Sequence, residues 1–574
     1  NFAPSIWFTM ESNGATTIHV LKAEIGQHIG TTFAQIVAEE LELDWESVRV
    51  DYPEMNATTQ DKYGIQMTGG SYSTNEMFDR LARSAAVARG LLIEVGAELL
   101  GSDIQDCKAR KGKVIDTVLN AEISYSEILS ETAISHTVEE DDLASVKLKN
   151  RQDYEIIGKS LASLDSPEKV NGSARFGIDA YVPNMIYGKI IGPPVRMWAT
   201  VKSIDDSKAK GIDGYIKTIP VNLPKQMGYL IESAAVVVAS SFPAAMRAAQ
   251  LVKVDWALPE TPPVSSDDMA KHARRLQQDP NAGENFVLKG DIEKVAKSSQ
   301  TQISAEYHTE MVTHATLEPA SAVAQQVDGD WHIYAGLQAG NVMRYFVSLL
   351  AGVTPDKVIF HPHHVGGGFG GKVEFEAPVL AVMVAKAMGK PVKIIFTRED
   401  DMFMSHPRSP TLQHMTAYLD ADGTVEGLRH DVVSGWVGAR FGEAFLINAA
   451  DKKGKLDGWS NNGADHWYDV PNQRVRAIQN DLVQNSFPIG AVRSVANNYT
   501  VFAVESFVDE VAHKTGKDPL ELRLQLLTAK GDNAGAGPDA LAHHTVPTFF
   551  GIPSADWKKW KFRPIYHKNP NVNG

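Results

Sequence analysis

The sequence holds one cysteine, Cys107, in 574 residues. An iron–sulfur cluster needs about four thiolates, a structural zinc site several ligands, and a disulfide two cysteines. Any redox chemistry on this chain must therefore pass its electrons to another one. No unbroken apolar run is long enough to span a bilayer, and no internal repeat is present. Positive charge is also short: the formal net charge is −14. That argues against nucleic acid as a partner, because phosphate binding needs a basic face. The chain opens NFAPSIWF, without methionine and without a visible signal sequence. What remains is the composition of a globular protein, 43% hydrophobic and 22% charged, too long for one core. Two to four domains are expected.

Alternating periods organise the first part. TTIHVLKAE reads as a strand, GTTFAQIVAEELEL as a helix and SVRVDY as a strand. Phe33, Ile36, Val37 and Leu41 share one helical face, and Thr31 or Thr32 is the expected N-cap. A longer helix should follow TGGSYS, with Phe78, Leu81, Leu92, Val95 and Leu99 at helical spacing. The expected division is an N-terminal unit over 1–145, a linker over 146–164, an α/β unit over 165–257, and a proline-marked linker over 258–299. The largest unit should cover 300–530, followed by an irregular tail over 531–574. That tail carries Phe549, Phe550, Trp557, Trp560, Phe562 and Tyr566, which calls for a partner surface to pack on.

VGGGFGGKVEFEAP, from Val365 to Pro378, lies between a strand-like and a helix-like stretch, a context that suits an anion at a helix N-terminus. Its first residues fit both GxxxxGK and GxGxxG. The P-loop reading fails because Val373 stands where Ser or Thr would hold magnesium, and because Glu374 and Glu376 follow. The dinucleotide reading wants an acidic residue about 20 positions on, and Glu399 is further away. In HPHH (361–364), neighbouring strand positions alternate faces, so no metal site is expected there. His314, Glu318, His543 and His544 receive no catalytic role.

Taken together, GGGFGGK, TLEP (316–319), AVRSVANNYTVFAVESFVDEVA (491–512), VNGSARFGIDAYVPNMIYGKI, IGQHIGTTFAQIVAEELEL (25–43) and TGGSYSTNE (68–76) point to a family. The sequence resembles the molybdopterin-binding subunits of the xanthine oxidase and aldehyde oxidase family. The early position of the last two segments resembles its isoquinoline oxidoreductase branch. The resemblance implies an α+β multidomain subunit with an aldehyde-oxidase-type hammerhead domain at 165–257. It also implies a molybdenum–molybdopterin cofactor, in the cytosine dinucleotide form, whose metal is held by pterin sulfurs and by no side chain of the protein. By residue, Gln27 matches a glutamine that bonds the pterin, and Gly70, Ser71, Tyr72 and Ser73 match the phosphate segment. Gly367, Gly368, Phe369 and Gly370 match the loop beside the metal, Arg493 an arginine of the cofactor pocket, and Gln338 a catalytic glutamine that contacts a molybdenum oxo group. Taken singly, Gln27 and Gln338 also read as strand-edge amides, Ser71 and Ser73 as helix caps, and Arg493 as a surface cation.

The reaction that the resemblance implies is oxidative hydroxylation. A metal-bound hydroxide activated by a glutamate attacks the substrate carbon, hydride passes to the metal centre, and electrons leave through iron–sulfur clusters. Purine-oxidising relatives carry glutamate where Val373 stands, so a small aldehyde oxidised to its carboxylic acid is the expected substrate. Hydroxylation of an N-heterocycle is the nearer alternative, and a non-catalytic scaffold the alternative of another class. The family's base glutamate, in a GEPG-like segment, has no counterpart in this sequence. The expected partners are a 2Fe-2S subunit, a cytochrome c subunit, and a second polypeptide that completes the molybdopterin domain and supplies the base. A periplasmic location, with membrane association through partner subunits, is expected from the same resemblance.

Overall fold

The computed structural model describes residues 2–59, 66–134, 136, 140–222, 233–260, 264–466 and 468–527. The aromatic residues of the tail, and the expected packing of that tail on a partner, lie outside the described residues.

The N-terminal unit is a four-stranded sheet, Phe2–Ser5, Phe8–Met10, Thr16–His19 and Val48–Asp51 in spatial order. Its last two strands are parallel and are joined through the helix Ile29–Leu41. The face read from the sequence is the buried one: Phe33, Ile36, Val37 and Leu41 all lie in the core. The start of that helix differs from the expectation. His28 occupies the cap position in a left-handed conformation, with no side-chain cap bond. The buried Glu24 carboxylate instead accepts the N–H groups of Gly26 and Ile29 at 2.7 and 3.0 Å. Thr31 is thereby released to accept the Leu164 N–H at 2.9 Å. The 28-residue helix Ser73–Leu100 packs Leu81, Ala85, Ala88 and Leu92 onto it.

The stretch 146–164 is bound to this unit rather than free. Glu39, 1% exposed, accepts N–H groups from Glu155, Ile156 and Ile157 and pairs with Lys149. Four donors around one carboxylate make a strong brace.

A seven-stranded sheet forms the centre. Its strands run Tyr215–Asn222, Ser233–Ala239, Ile186–Ile191, Val392–Ile395, Ser321–Val327, Asp330–Ala335 and Val358–Pro362 in spatial order. The hammerhead-like segment and the main unit are thus one sheet, joined where Val392–Ile395 pairs parallel with Ile186–Ile191. The strand Ser233–Ala239 is buried at every residue, as its unbroken apolar run requires. Helices Gly340–Ala351 and Glu376–Met388 contribute to the apolar core that covers it.

Further along, Glu284–Lys289, Asn472–Gln479, Val425–Ser434, Thr411–Leu419 and Thr301–Thr309 form a five-stranded sheet, backed by the helix Asn497–Thr515. Part of the stretch read as a linker belongs to it. Residues 258–299 include two helices, Ser266–Gln278 and Ile292–Ser298, and the edge strand Glu284–Lys289. Their polar composition suits an edge strand and half-exposed helices as well as it suits a linker.

Candidate functional site

The glycine loop runs from the strand Val358–Pro362 to the helix Glu376–Met388. Gly367, Phe369 and Gly370 have φ of +93°, +53° and +98°. Only Phe369 is strained by this, since glycine enters the left-handed region freely. Close approach is the stronger demand at two positions. A Cβ on Gly368 would overlap Gln338 Oε1, and one on Gly370 would overlap the Ala491 carbonyl oxygen. Lys372, which a P-loop would aim at phosphate, is 5% exposed, in the field of Glu318 and Asp401.

Distant segments are tied to this loop by hydrogen bonds. The Val365 N–H donates to the Glu24 carbonyl at 3.0 Å, which attaches the turn that carries Gln27. The Gly366 N–H donates to Glu318 Oε2 at 2.7 Å, while Glu318 Oε1 accepts the Ile178 N–H at 2.7 Å. Glu318 is therefore a brace between the hammerhead-like segment and the loop. The Gly370 N–H donates to Gln338 Oε1 at 3.1 Å, and Gln338 Nε2 donates to the Thr68 carbonyl at 2.9 Å. The Thr68 N–H returns a bond to the Gln338 carbonyl at 2.8 Å. Finally, the Arg493 N–H donates to the Phe369 carbonyl at 2.7 Å. The segments singled out in the sequence, spread over some hundreds of residues, converge on four loop residues, Val365, Gly366, Phe369 and Gly370.

Each sequence-predicted side chain can now be placed. Gln27 is exposed on its turn, its Oε1 accepting the Ile25 N–H at 2.7 Å and its Nε2 donating to the Ala23 carbonyl at 3.0 Å. Gly70 and Ser71 both have φ +60°, two left-handed residues in succession before the helix that starts at Ser73. Tyr72 is half-buried, and burial pushes its hydroxyl pKa up. Gln338 is 3% exposed with both ends of its amide on the chain, leaving one Nε2 proton to offer elsewhere. Phe369 is 45% exposed. The Arg493 side chain is exposed, and the buried Arg408 holds its carbonyl at 2.6 Å. The next two residues, Ser494 and Val495, have φ of +70° and +44°. For a β-branched residue this is real strain, stored beside the loop.

Sequence reasoning missed the charge network beneath the loop. Arg440 donates to both oxygens of Glu374, at 3.0 and 3.1 Å. His406 Nδ1 lies 3.0 Å from Glu376 Oε1, and burial pushes the Glu376 carboxyl up. Arg196 donates to the carbonyls of Phe403, Met404 and Ser405, and burial lowers its pKa to about 10. With two guanidiniums beside two carboxylates, this cluster is charge-compensated and does not call for a cation. The only local signal was the pair of glutamates. The HPHH run separates as expected: His361 Nε2 meets His332 Nδ1 at 2.9 Å, while the His364 ring sits edge-on to Tyr52. Among the described residues His332, His361, His363 and His364 belong to no potential metal-holding group, whereas His406 forms one with Glu374 and Glu376.

Two family models match the chain, each described as a molybdopterin cofactor-binding domain, over residues 277–527 and 2–178. The membrane-bound aldehyde dehydrogenase [pyrroloquinoline-quinone] of Gluconacetobacter polyoxogenes is 36% identical over 94% of this chain and 69% of its own length. The isoquinoline 1-oxidoreductase subunit beta of Brevundimonas diminuta is 29% identical over 91% of this chain and 70% of its own. Among solved structures, the aldehyde oxidoreductase of Desulfovibrio desulfuricans matches in fold, with TM-score 0.52 and 18% identity. That match covers 89% of this chain and 53% of the solved one, so the chain spans about half of that protein's length. The chain belongs to the molybdopterin-binding subunits of the xanthine oxidase and aldehyde oxidase family.

The residues present fit that cofactor. The glycines keep the loop backbone tight against Gln338 and the Ala491 carbonyl, while a helix N-terminus after Gly70–Ser71 and the exposed Arg493 suit an anionic tail.

Proposed function

We propose that this chain carries the cofactor of an enzyme that oxidises aldehydes to carboxylic acids. The observation that carries this reading is the convergence of the cofactor segments on the loop, through the bonds Val365–Glu24, Gly370–Gln338–Thr68 and Phe369–Arg493. The aldehyde is favoured by the name of the relative at 36% identity and by Val373, an apolar residue where purine-oxidising members carry a glutamate.

When bound, the molybdenum cofactor supplies two-electron oxidation with oxygen drawn from water. The chain's own residues hold and orient it. The helix start at Gly70–Ser73 and the Arg493 guanidinium would neutralise its phosphate tail, in the cytosine dinucleotide form. Gln27 and Gln338 would each offer a remaining Nε2 proton to its polar edges. Gly367–Gly370 let it approach the backbone, and the Phe369 ring excludes water on that side.

No carboxylate at the loop is available as a base among the described residues. Glu318 braces two backbone N–H groups, Glu374 is held by Arg440, and Glu376 faces His406. The base is therefore assigned to a segment outside the described residues, on a second polypeptide that completes the site. Electrons leave to a 2Fe-2S subunit and a cytochrome c subunit, because the one cysteine cannot hold a cluster. The assembly is placed in the periplasm, associated with the membrane through its partners. This agrees with a relative named as membrane-bound and with the lack of any described helix long and apolar enough to cross a membrane.

Hydroxylation of an N-heterocycle is a second reading, favoured by the isoquinoline-named relative. Steady-state rates of the purified complex with an artificial electron acceptor separate the two. Oxidation of short aldehydes, with a heterocycle at least about tenfold slower, is expected. Turnover of the heterocycle alone would transfer the assignment, and turnover of neither would favour a scaffold.

A further inference from the structure

Gln66 lies two residues before Thr68, on the segment that Gln338 clamps to the glycine loop. It is 2% exposed, and neither its Nε2 nor its Oε1 has a hydrogen-bond partner. The groups that follow it are all engaged. The Met67 carbonyl accepts from Lys22 Nζ at 3.1 Å, and Thr68 exchanges both backbone bonds with Gln338. Thr68 donates its N–H to the Gln338 carbonyl and accepts from the Gln338 side-chain amide. Thr68 Oγ1 reaches the Ala23 carbonyl at 3.4 Å, the same carbonyl that accepts from Gln27 Nε2. Gln66 is thus a buried, unpartnered amide two residues from Thr68, whose hydroxyl reaches the turn that carries Gln27, and just upstream of the left-handed pair Gly70–Ser71.

A buried amide with no partner bears the full cost of desolvating its donor and acceptor groups. Leucine or methionine would fill the same space without that cost. The chemistry of the amide also limits what it can meet. It presents an acceptor beside donors, which matches the N–H and C=O of a cyclic amide. A phosphate offers acceptors only and would set its lone pairs against Oε1.

We propose that Gln66 is a positioning residue for the cofactor, pairing in the plane with the amide edge of a heterocycle: the pterin ring, or the nucleobase on its tail. This rests on the molybdopterin assignment above. Gln66→Met in the complete enzyme tests it by pterin and molybdenum content, pterin release rate, and the thermal midpoints of cofactor-free and loaded forms. The cofactor-free variant is expected to melt higher than wild type, because an unmet amide has been removed. The loaded variant is expected to release pterin about tenfold faster, the loss of one good polar contact. Faster release from the nucleotide-free cofactor as well assigns the contact to the pterin, and faster release of the dinucleotide form alone assigns it to the nucleobase. Wild-type enzyme without pterin would overturn the molybdopterin assignment and this inference with it. Wild type with pterin, and a variant that holds it equally well, would overturn this inference alone and leave Gln66 to a buried water. A cofactor-free variant less stable than wild type would likewise mark Gln66 as structural.

Discussion

Two regions of the molecule treat buried polar atoms differently. Around the glycine loop Gln338, Glu318, Glu24 and Thr68 join separate segments through bonds to backbone partners, with the Gln66 amide left unmet. Inside the five-stranded sheet, His430 Nε2 meets Gln413 Oε1 at 2.7 Å, but His430 Nδ1 and Gln413 Nε2 have no partner. Neither ring nitrogen of the buried His466 makes a hydrogen bond of good geometry. His466 lines an apolar cavity of about 20 Å³ among Met415, Phe507 and Leu522. The first region is a rigid frame, set by the chain before any ligand arrives. The second is an interior that leaves buried polar groups without a partner. A cofactor site needs the first kind, because atoms placed in advance cost nothing to order on binding.

The largest effect is expected at Gly370. Gly370→Ala combines a left-handed backbone with overlap against the Ala491 carbonyl, a cost on the order of 4–6 kcal/mol. Chemical denaturation and molybdenum content should both fall sharply. A variant with wild-type stability and metal content would show that the loop is not the frame described.

Next comes the charge network below the loop. Arg440→Ala leaves Glu374 buried and unpaired, at a cost of about 3–5 kcal/mol. Removing both partners, as in Glu374→Gln with Arg440→Met, should recover much of that loss. A double variant no better than the single one would mean that Arg440 acts by packing rather than charge.

The sheet interior should show itself in acid. Burial holds His430 neutral with a pKa of about 3 and His466 with a pKa of about 4, against 6.5 for the free side chain. As pH falls below about 6.5, the unfolded chain takes up protons that the folded chain refuses. Stability is then full above that pH and declines toward pH 4, by up to about 1.4 kcal/mol per pH unit for each ring. His466→Leu should flatten this slope and change stability at neutral pH by less than about 1 kcal/mol, since no good hydrogen bond is lost. An unchanged slope in urea titrations between pH 4 and 6.5 would place the acid sensitivity elsewhere.

The same contrast explains what could be read in advance. The loop and its companion motifs were legible because glycine density, TGGSYS and AVRS are local patterns whose backbone geometry depends on residue type. The buried faces of the first helix were legible from period alone. Arg440, His406 and Arg196 were not, because each reaches the loop's carboxylates from a separate stretch of chain, and a single arginine in a sequence carries no address. The N-cap was missed because Glu24, five residues upstream of the helix, displaced the threonines by folding back. The strand Glu284–Lys289 was hidden by its polar composition, which suits a sheet edge and a linker equally.

Molybdenum and pterin content of the purified, active enzyme tests the cofactor assignment most directly, with pyrroloquinoline quinone measured in the same samples because a relative's name carries it. Near-stoichiometric molybdenum and pterin are expected, both lost in Gly370→Ala. Active preparations free of molybdenum and pterin, with the quinone in their place, would contradict it.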